Sequence, residues 1–337
     1  MHKASFCENL GGCVVRCGLC RFRCTIPAGA RGLCGVRENR DGILYSLVYG
    51  KVVAEQSDPV EKKPLFHLLP GSATYSIATA GCNFRCLHCQ NASISQVADS
   101  AQLIRGNDRT PAEIVAAALA SGSESISYTY TEPTIFYEYA RDTAELAVQA
   151  GLKNLFVTNG YITAEALAGI APVLHAANID LKGWSERFYR EVVRATLREV
   201  LDSIVEYRRL GIWIELTTLL IPGYNDDPGE LREMAGFIAG HLGCDVPWHL
   251  TAFHPTYRMT RVPPATASQL QAAREIGIAA GLAYVYTGNA YCPGGEDTLC
   301  PACGVTLVRR SGFGMLENRL RQGGCAACGA SIAGIWR

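Results

Sequence analysis

The chain has 337 residues, 48% of them hydrophobic and 18% charged, with Lys+Arg 31 balancing Asp+Glu 31. That length suits one large domain with one or two small ones, and the charge balance gives no bulk electrostatic drive toward nucleic acid or a membrane surface. Met1–Cys7 lacks the apolar core of a signal peptide and no run approaches the roughly 18 apolar residues of a membrane span, so the expectation is a cytoplasmic protein whose 15 cysteines form no structural disulfides and whose clustered ones are metal ligands.

Residues 1–70 form a Cys-rich segment, with Cys13, Cys17, Cys20, Cys24 and Cys34 set among Gly and Arg. Such a stretch is too small to fold on a hydrophobic core alone, so a metal is the expected staple. Cys17-x-x-Cys20-x-x-x-Cys24 with Cys34 reads as a four-ligand group, either a structural zinc with closed thiolate ligation or an auxiliary iron–sulfur cluster.

Residues 71–290 alternate β-rich runs with amphipathic helical patterns at roughly one βα unit per 30 to 35 residues, which predicts an α/β parallel sheet of the TIM-like barrel kind. The expected strands are 73–78, 125–131, 154–157, 177–181, 212–220, 248–253 and 284–286. Between them, Thr110-Pro-Ala-Glu113 carries a capping Thr, Pro at the first helical position and Glu closing the box, and Ser185 and Asp227 are simpler caps. Polar residues gather at the ends of these strands: the Cys82 loop, Glu132, Asn159, Asp180 with Lys182, and His254. In a barrel those ends make the face on which active sites are built.

After the first of these strands, the run Ala80-Gly-Cys-Asn-Phe-Arg-Cys-Leu-His-Cys-Gln-Asn91 carries Cys82, Cys86 and Cys89. Three thiolates can hold three irons of a [4Fe-4S] cluster and leave the fourth open, where an electron-transfer cluster would use four cysteines. Cys13, Cys17 and Cys20 repeat the same spacing but follow no such strand and open no βα array. Residues 291–337 end the chain with Cys300-Pro-Ala-Cys303-Gly and Cys325-Ala-Ala-Cys328-Gly, the spacing of a zinc ribbon. Arg309, Arg310, Arg319 and Arg321 would allow that ribbon an RNA contact, and Cys7, Cys244 and Cys292 read as ordinary thiols. Tyr128, Tyr130, Tyr137 and Tyr139 read as packing before they read as radical relays.

The CxxxCxxC of Cys82, Cys86 and Cys89 resembles the signature of the radical S-adenosylmethionine (SAM) superfamily. Tyr128-Thr-Tyr-Thr-Glu-Pro-Thr134, Val157-Thr-Asn-Gly160, Ile179-Asp-Leu-Lys-Gly183, Leu216 to Asn225 and Ala252-Phe-His-Pro-Thr-Tyr257 are similar to its glycyl-radical-activase-like branch. With the Cys-rich ends and Tyr286-Thr-Gly-Asn289, the chain resembles the radical SAM proteins of the AmmeMemoRadiSam system. The resemblance implies a partial (β/α)6-type barrel, a [4Fe-4S] cluster whose open iron is chelated by SAM, and a 5′-deoxyadenosyl radical that abstracts a hydrogen atom. It further implies that Thr131 and Glu132 replace the family's Gly-Gly-Glu segment near the methionine amino group, without its two glycines. Asn159 would lie near the ribose, Asp180 and Lys182 near the methionine part and His88 beside the adenine, with His254 the candidate catalytic group facing substrate. A flavodoxin or ferredoxin would supply the electron, Memo-like and AMMECR-like proteins would be partners, and the substrate would be a macromolecule such as RNA or protein, or a small molecule. Two other readings stand beside this one: an activase that installs a glycyl radical on a partner protein, and a non-catalytic metal-binding docking module with zinc at every cysteine group.

Overall fold

The computed structural model of the chain describes residues 1–97 and 104–337. Two compact units emerge, one made of Met1–Asp58, Ala73–Ala176 and Glu199–Ile212, the other of Pro59–Ser72, Ala177–Arg198 and Trp213–Arg337.

In the first unit the strands β1 (Ala73–Thr79), β2 (Ser125–Tyr128) and β3 (Lys153–Thr158) run parallel, with Thr74 opposite Ser125 and Ile126 opposite Asn154. Helices α1 (Pro111–Ala120), α2 (Tyr137–Gln149) and α3 (Ala164–Ile170) connect or follow them. The expected capping box forms: the Thr110 side chain accepts from the Glu113 N–H and the Glu113 carboxylate accepts from the Thr110 N–H. The N-terminal segment folds as short antiparallel sheets, and Lys51–Pro59 lies along β1 as a further strand. Its charged second half hides that strand from a pattern reading. The helix α4 (Leu197–Arg209) belongs largely to this unit.

The second unit carries β4 (Ala176–Asp180), β5 (Trp213–Leu220), β6 (Trp248–Ala252) and β7 (Val285–Gly288), neighbours in that order, with Leu216 opposite Trp248 and Trp248 opposite Val285 in parallel register. Helices α5 (Pro228–Phe237) and α6 (Ala267–Ala279) intervene, α5 capped by Asp227 as expected. Parallel strands joined by helices are buried on both faces, hence the near-continuous burial along β2, β5 and β6. The observed class is the expected one, α/β with a parallel sheet. Among the described residues no helix is long and apolar enough to cross a membrane.

One expected strand is shorter than its sequence pattern. The run 125–131 leaves the sheet after Tyr128, because Tyr130 turns to a φ of 62° and Glu132 caps the 3-10 turn Pro133–Phe136. The Tyr130 hydroxyl meets Asp58 and accepts from Gln56 Nε2 at 2.7 Å, which holds a backbone conformation otherwise uncommon for a bulky residue.

A buried polar chain organises the second unit. The carbonyl of Ala333 can only accept, so His67 Nδ1 donates to it at 2.7 Å, which leaves Nε2 to accept from the Tyr286 hydroxyl at 2.7 Å. Tyr286 in turn meets Thr298 Oγ1 at 2.8 Å, and Arg310 donates to that hydroxyl at 2.8 Å. The Arg310 guanidinium also donates to the Phe66 carbonyl at 2.7 Å and lies over the Phe66 ring. Arg310 is therefore a core residue and is removed from the expected basic face of the ribbon. Beside it, Glu215 accepts from the Phe66 and His67 N–H groups at 3.0 and 2.8 Å and bonds His249 at 2.7 Å. Burial opposes ionisation of Glu215, yet the His249 hydrogen bond and charge keep its carboxyl below the ordinary range.

Burial pushes His67 down to about 4. The unfolded chain therefore binds a proton between pH 6.5 and 4 that the folded chain refuses, so this contribution is full above pH 6.5 and is lost as pH falls through that window. The loss expected is about 3 kcal/mol. Denaturant midpoints at pH 7 and pH 4.5 check it: wild type should fall more between the two than His67→Gln, and equal falls would remove His67 as the cause.

Candidate functional site

The Cys82 loop leaves the end of β1 through Gly81, whose φ is +99°. A Cβ at this position would stand 2.6 Å from Val36 Cγ1 and 3.1 Å from the Cys34 carbonyl, so only glycine lets the loop approach the N-terminal segment so closely. Arg85 pins the loop from within, donating to the Cys82 carbonyl at 2.6 Å, to the Phe84 carbonyl at 3.0 Å and to the carbonyl of Leu33. Phe84 is buried against the ring of Tyr161. At the far end, Asn91 donates to the Tyr130 carbonyl at 2.7 Å and so ties the loop to the turn after β2.

Around this loop the first unit brings together seven residues expected at the site, Glu132 among them. Cys86 and His88 are buried, and Cys82 Sγ receives the Phe84 N–H at 3.3 Å and the Asn159 amide at 3.8 Å. Cys89 Sγ lies 3.1 Å from Ser95 Oγ. Asn159, at the end of β3, donates to Asn83 Oδ1 at 2.7 Å and accepts from the Tyr161 N–H at 3.0 Å. Thr131 anchors its turn by donating to the Thr79 carbonyl at 2.8 Å.

Glu132 is turned inward. One carboxylate oxygen accepts from Thr134 N–H, Thr134 Oγ1 and Thr158 Oγ1 at 3.0, 2.6 and 2.7 Å, and the other from Asn159 N–H at 2.8 Å. Burial raises its carboxyl above the ordinary range although these donors oppose the shift. Burial, then Glu132 and then Cys86, push the Cys82 thiol well above its ordinary value. The metal-free Cys82 thiol thus holds its proton, which a bound metal would displace.

The other expected residues lie in the second unit. Asp180 Oδ2 holds Lys182 Nζ at 2.8 Å just beyond β4. His254 is exposed after β6, with Nε2 on the Asn289 carbonyl at 3.1 Å. The amide of Asn225, which the sequence reading placed only inside a motif, donates to the Lys182 and Leu219 carbonyls at 2.7 and 2.9 Å and so fixes the loop behind Lys182. Its position four residues after Ile221, past a Pro-Gly pair, was the available signal. Tyr128, Tyr137 and Tyr139 are core side chains.

Cys300, Cys303, Cys325 and Cys328 form a metal site, all four ligand atoms lying within 4.8 Å of one another. Cys300 faces Cys328 at 3.7 Å and Cys303 faces Cys325 at 3.8 Å. A tetrahedral ion with metal–sulfur bonds of about 2.3 Å needs sulfurs about 3.8 Å apart, so the donor set is already at ligation spacing. The Cys328 backbone N–H is the main influence holding Cys325 down to about 7. Cys300 and Cys325 also belong to the apolar cluster with Phe66, Tyr286 and Leu307.

A family model described as the radical SAM superfamily matches residues 76–235. The chain is 44% identical over 98% of its length, and 99% of the relative's, to the uncharacterized protein MJ0808 of Methanocaldococcus jannaschii. It is 24% identical over 53% of its length, and 66% of the relative's, to a putative glycyl-radical enzyme activating enzyme of the same organism. Among solved structures, a radical SAM methyltransferase from Sphaerobacter thermophilus aligns with a TM-score of 0.50 and 16% identity over 65% of this chain and 67% of that one, a likeness of fold.

Two outcomes are expected from this geometry. Glu132→Gln presents an amide to four donors and should cost about 2 kcal/mol in denaturant unfolding, whereas an unchanged midpoint would mean the four bonds do not constrain the strand ends. Cys303→Ser should lower bound metal by one ion per chain in elemental analysis of the purified protein and leave the iron content as in wild type.

Proposed function

Because the chain belongs to the radical SAM superfamily of enzymes, we propose that it reductively cleaves SAM to a 5′-deoxyadenosyl radical and uses it to take a hydrogen atom from a substrate. The observation that carries this reading is the trio Cys82, Cys86 and Cys89 on a pinned loop at the end of β1, within reach of Asn159 and Glu132. Cys82, Cys86 and Cys89 would hold a [4Fe-4S] cluster, which would supply the electron for reductive cleavage of SAM.

The donor set fits that group. Three thiols share one loop, and the buried Asn83 Nδ2 beside Cys82 has no hydrogen-bond partner of its own. The chain's residues then divide the work. Glu132 is a positioning residue, since its carboxylate is taken up by Thr134, Thr158 and Asn159; it aims Asn159 rather than meeting ligand. Asn159 and His88 serve the nucleoside, and Thr131 lines the turn facing the methionine amino group. Asp180 holds the Lys182 ammonium ready for a carboxylate, and His254 contacts substrate.

Within the superfamily we place the chain in the AmmeMemoRadiSam branch, with zinc at the C-terminal cysteines, a flavodoxin or ferredoxin as electron donor and Memo-like and AMMECR-like proteins as partners. The motif set and the two Cys-rich ends support this. A second reading, activation of a partner protein by a glycyl radical, draws support from the name of the 24% identical relative.

The test is anaerobic. After cluster reconstitution and reduction with SAM present, wild type should form 5′-deoxyadenosine and Cys86→Ala should form none. Formation by both would sink the assignment of the loop, and formation by neither, with SAM binding absent, would sink the reading as a whole.

A further inference from the structure

We propose that Cys17, Cys20, Cys24 and Cys34 hold a second iron–sulfur cluster of the [4Fe-4S] class, fully ligated by cysteine and countered by the buried guanidinium of Arg37. The four cysteines line one enclosed hollow whose remaining wall is largely apolar, with Leu19, Ile26 and Ile135 among its residues. Cys17, Cys20 and Cys34 are buried. Four cysteines converging on one such hollow form a complete set of thiolate ligands.

Arg37 is the independent sign of an anionic occupant. It is 1% exposed, and its Nη2 donates to Glu138 at 2.7 Å and to the Ser5 carbonyl at 2.9 Å. Its Nε and Nη1 are buried without a hydrogen-bond partner, while the side chain lines the hollow and feels the charge of Cys17 and Cys34. Thiolate sulfur held by a metal centre would give these unpartnered N–H groups, on a side chain that lines the same hollow, an acceptor.

The two four-cysteine groups differ in spacing. Among the described residues, only the C-terminal four bring three or more ligand atoms within 4.8 Å of one another. One tetrahedral ion needs sulfurs about 3.8 Å apart; a cube of four irons carries its cysteine sulfurs further out. The wider setting of the N-terminal four is shared by Cys82, Cys86 and Cys89. Having four protein ligands, the second cluster exchanges electrons and offers no iron to SAM. It sits in the same unit as the Cys82 loop, joined to it through the Cys34 carbonyl packed under Gly81 and the Arg85 bond to Leu33.

The inference does not depend on the function proposed above, and its test isolates it. The triple variant Cys82→Ala, Cys86→Ala, Cys89→Ala is reconstituted anaerobically with iron and sulfide, and its iron, sulfide and zinc are counted. About four irons and four sulfides per chain should remain, with one zinc, and reduction should give a paramagnetic signal that added SAM leaves unchanged. Adding Cys20→Ser and Cys34→Ser should abolish the iron and the signal and keep the zinc. Two zincs with no sulfide in the triple variant, or four freely titrating thiols, would overturn the proposal. If the triple variant holds its cluster while wild type fails to cleave SAM, it is the SAM reading that falls. Measured against Glu138→Gln alone, the pair Arg37→Gln with Glu138→Gln should retain the cluster at a more negative potential. An unchanged potential would remove Arg37 from the site.

Discussion

Everything at the candidate site of the first unit hangs on one buried carboxylate. Glu132 collects four hydrogen bonds, two from the 3-10 turn that it caps and two from the end of the neighbouring strand β3. Through the Asn159 backbone it fixes the amide that reaches Asn83 and Cys82. A carboxylate so enclosed is costly to bury, and the cost is met by donors already fixed in the sheet and in the turn. The reward is rigidity where a reactive radical must be aimed, since a site held by strand ends moves less than one held by loops alone.

The second unit solves a related problem with a different device. Its C-terminal segment is too small for a core of its own, so it shares one: Cys300 and Cys325 pack with Phe66, Tyr286 and Leu307, and Arg310 reaches inward to Phe66 and Thr298. The ion that the four thiols are spaced for is therefore a fastener for the surrounding core as much as for the ribbon.

The α/β class and the positions of the strands were legible because period and capping agree in this region. Thr110-Pro-Ala-Glu113 and Asp227 cap where their residue types say they should. Lys51–Pro59 was not legible, since its second half is charged and its place along β1 is a tertiary fact. The end of β2 at Tyr128 was misjudged because Tyr130 adopts a left-handed turn that its bulk disfavours and that the distant Asp58 stabilises. In the site, residue types announced the cysteines; the direction in which Glu132 points could not be announced, because it depends on donors from Thr158 and Asn159, more than twenty residues on. Arg310 misled for the opposite reason: its charge suggested surface, and only the carbonyl of Phe66, brought close by the fold, explains its burial.

The bond from His67 to Ala333 spans 266 positions. Together with the mutual backbone bonds of Ile335 to His67 and Leu69, it sets an order of birth for the two units. On a ribosome, residues 59–72 are made early but gain the last of these partners only when residues 333–335 emerge. The first unit, in contrast, is complete once residue 212 is out. Cys82, Cys86 and Cys89, with every segment of their unit, therefore leave the ribosome before the four cysteines of the ribbon.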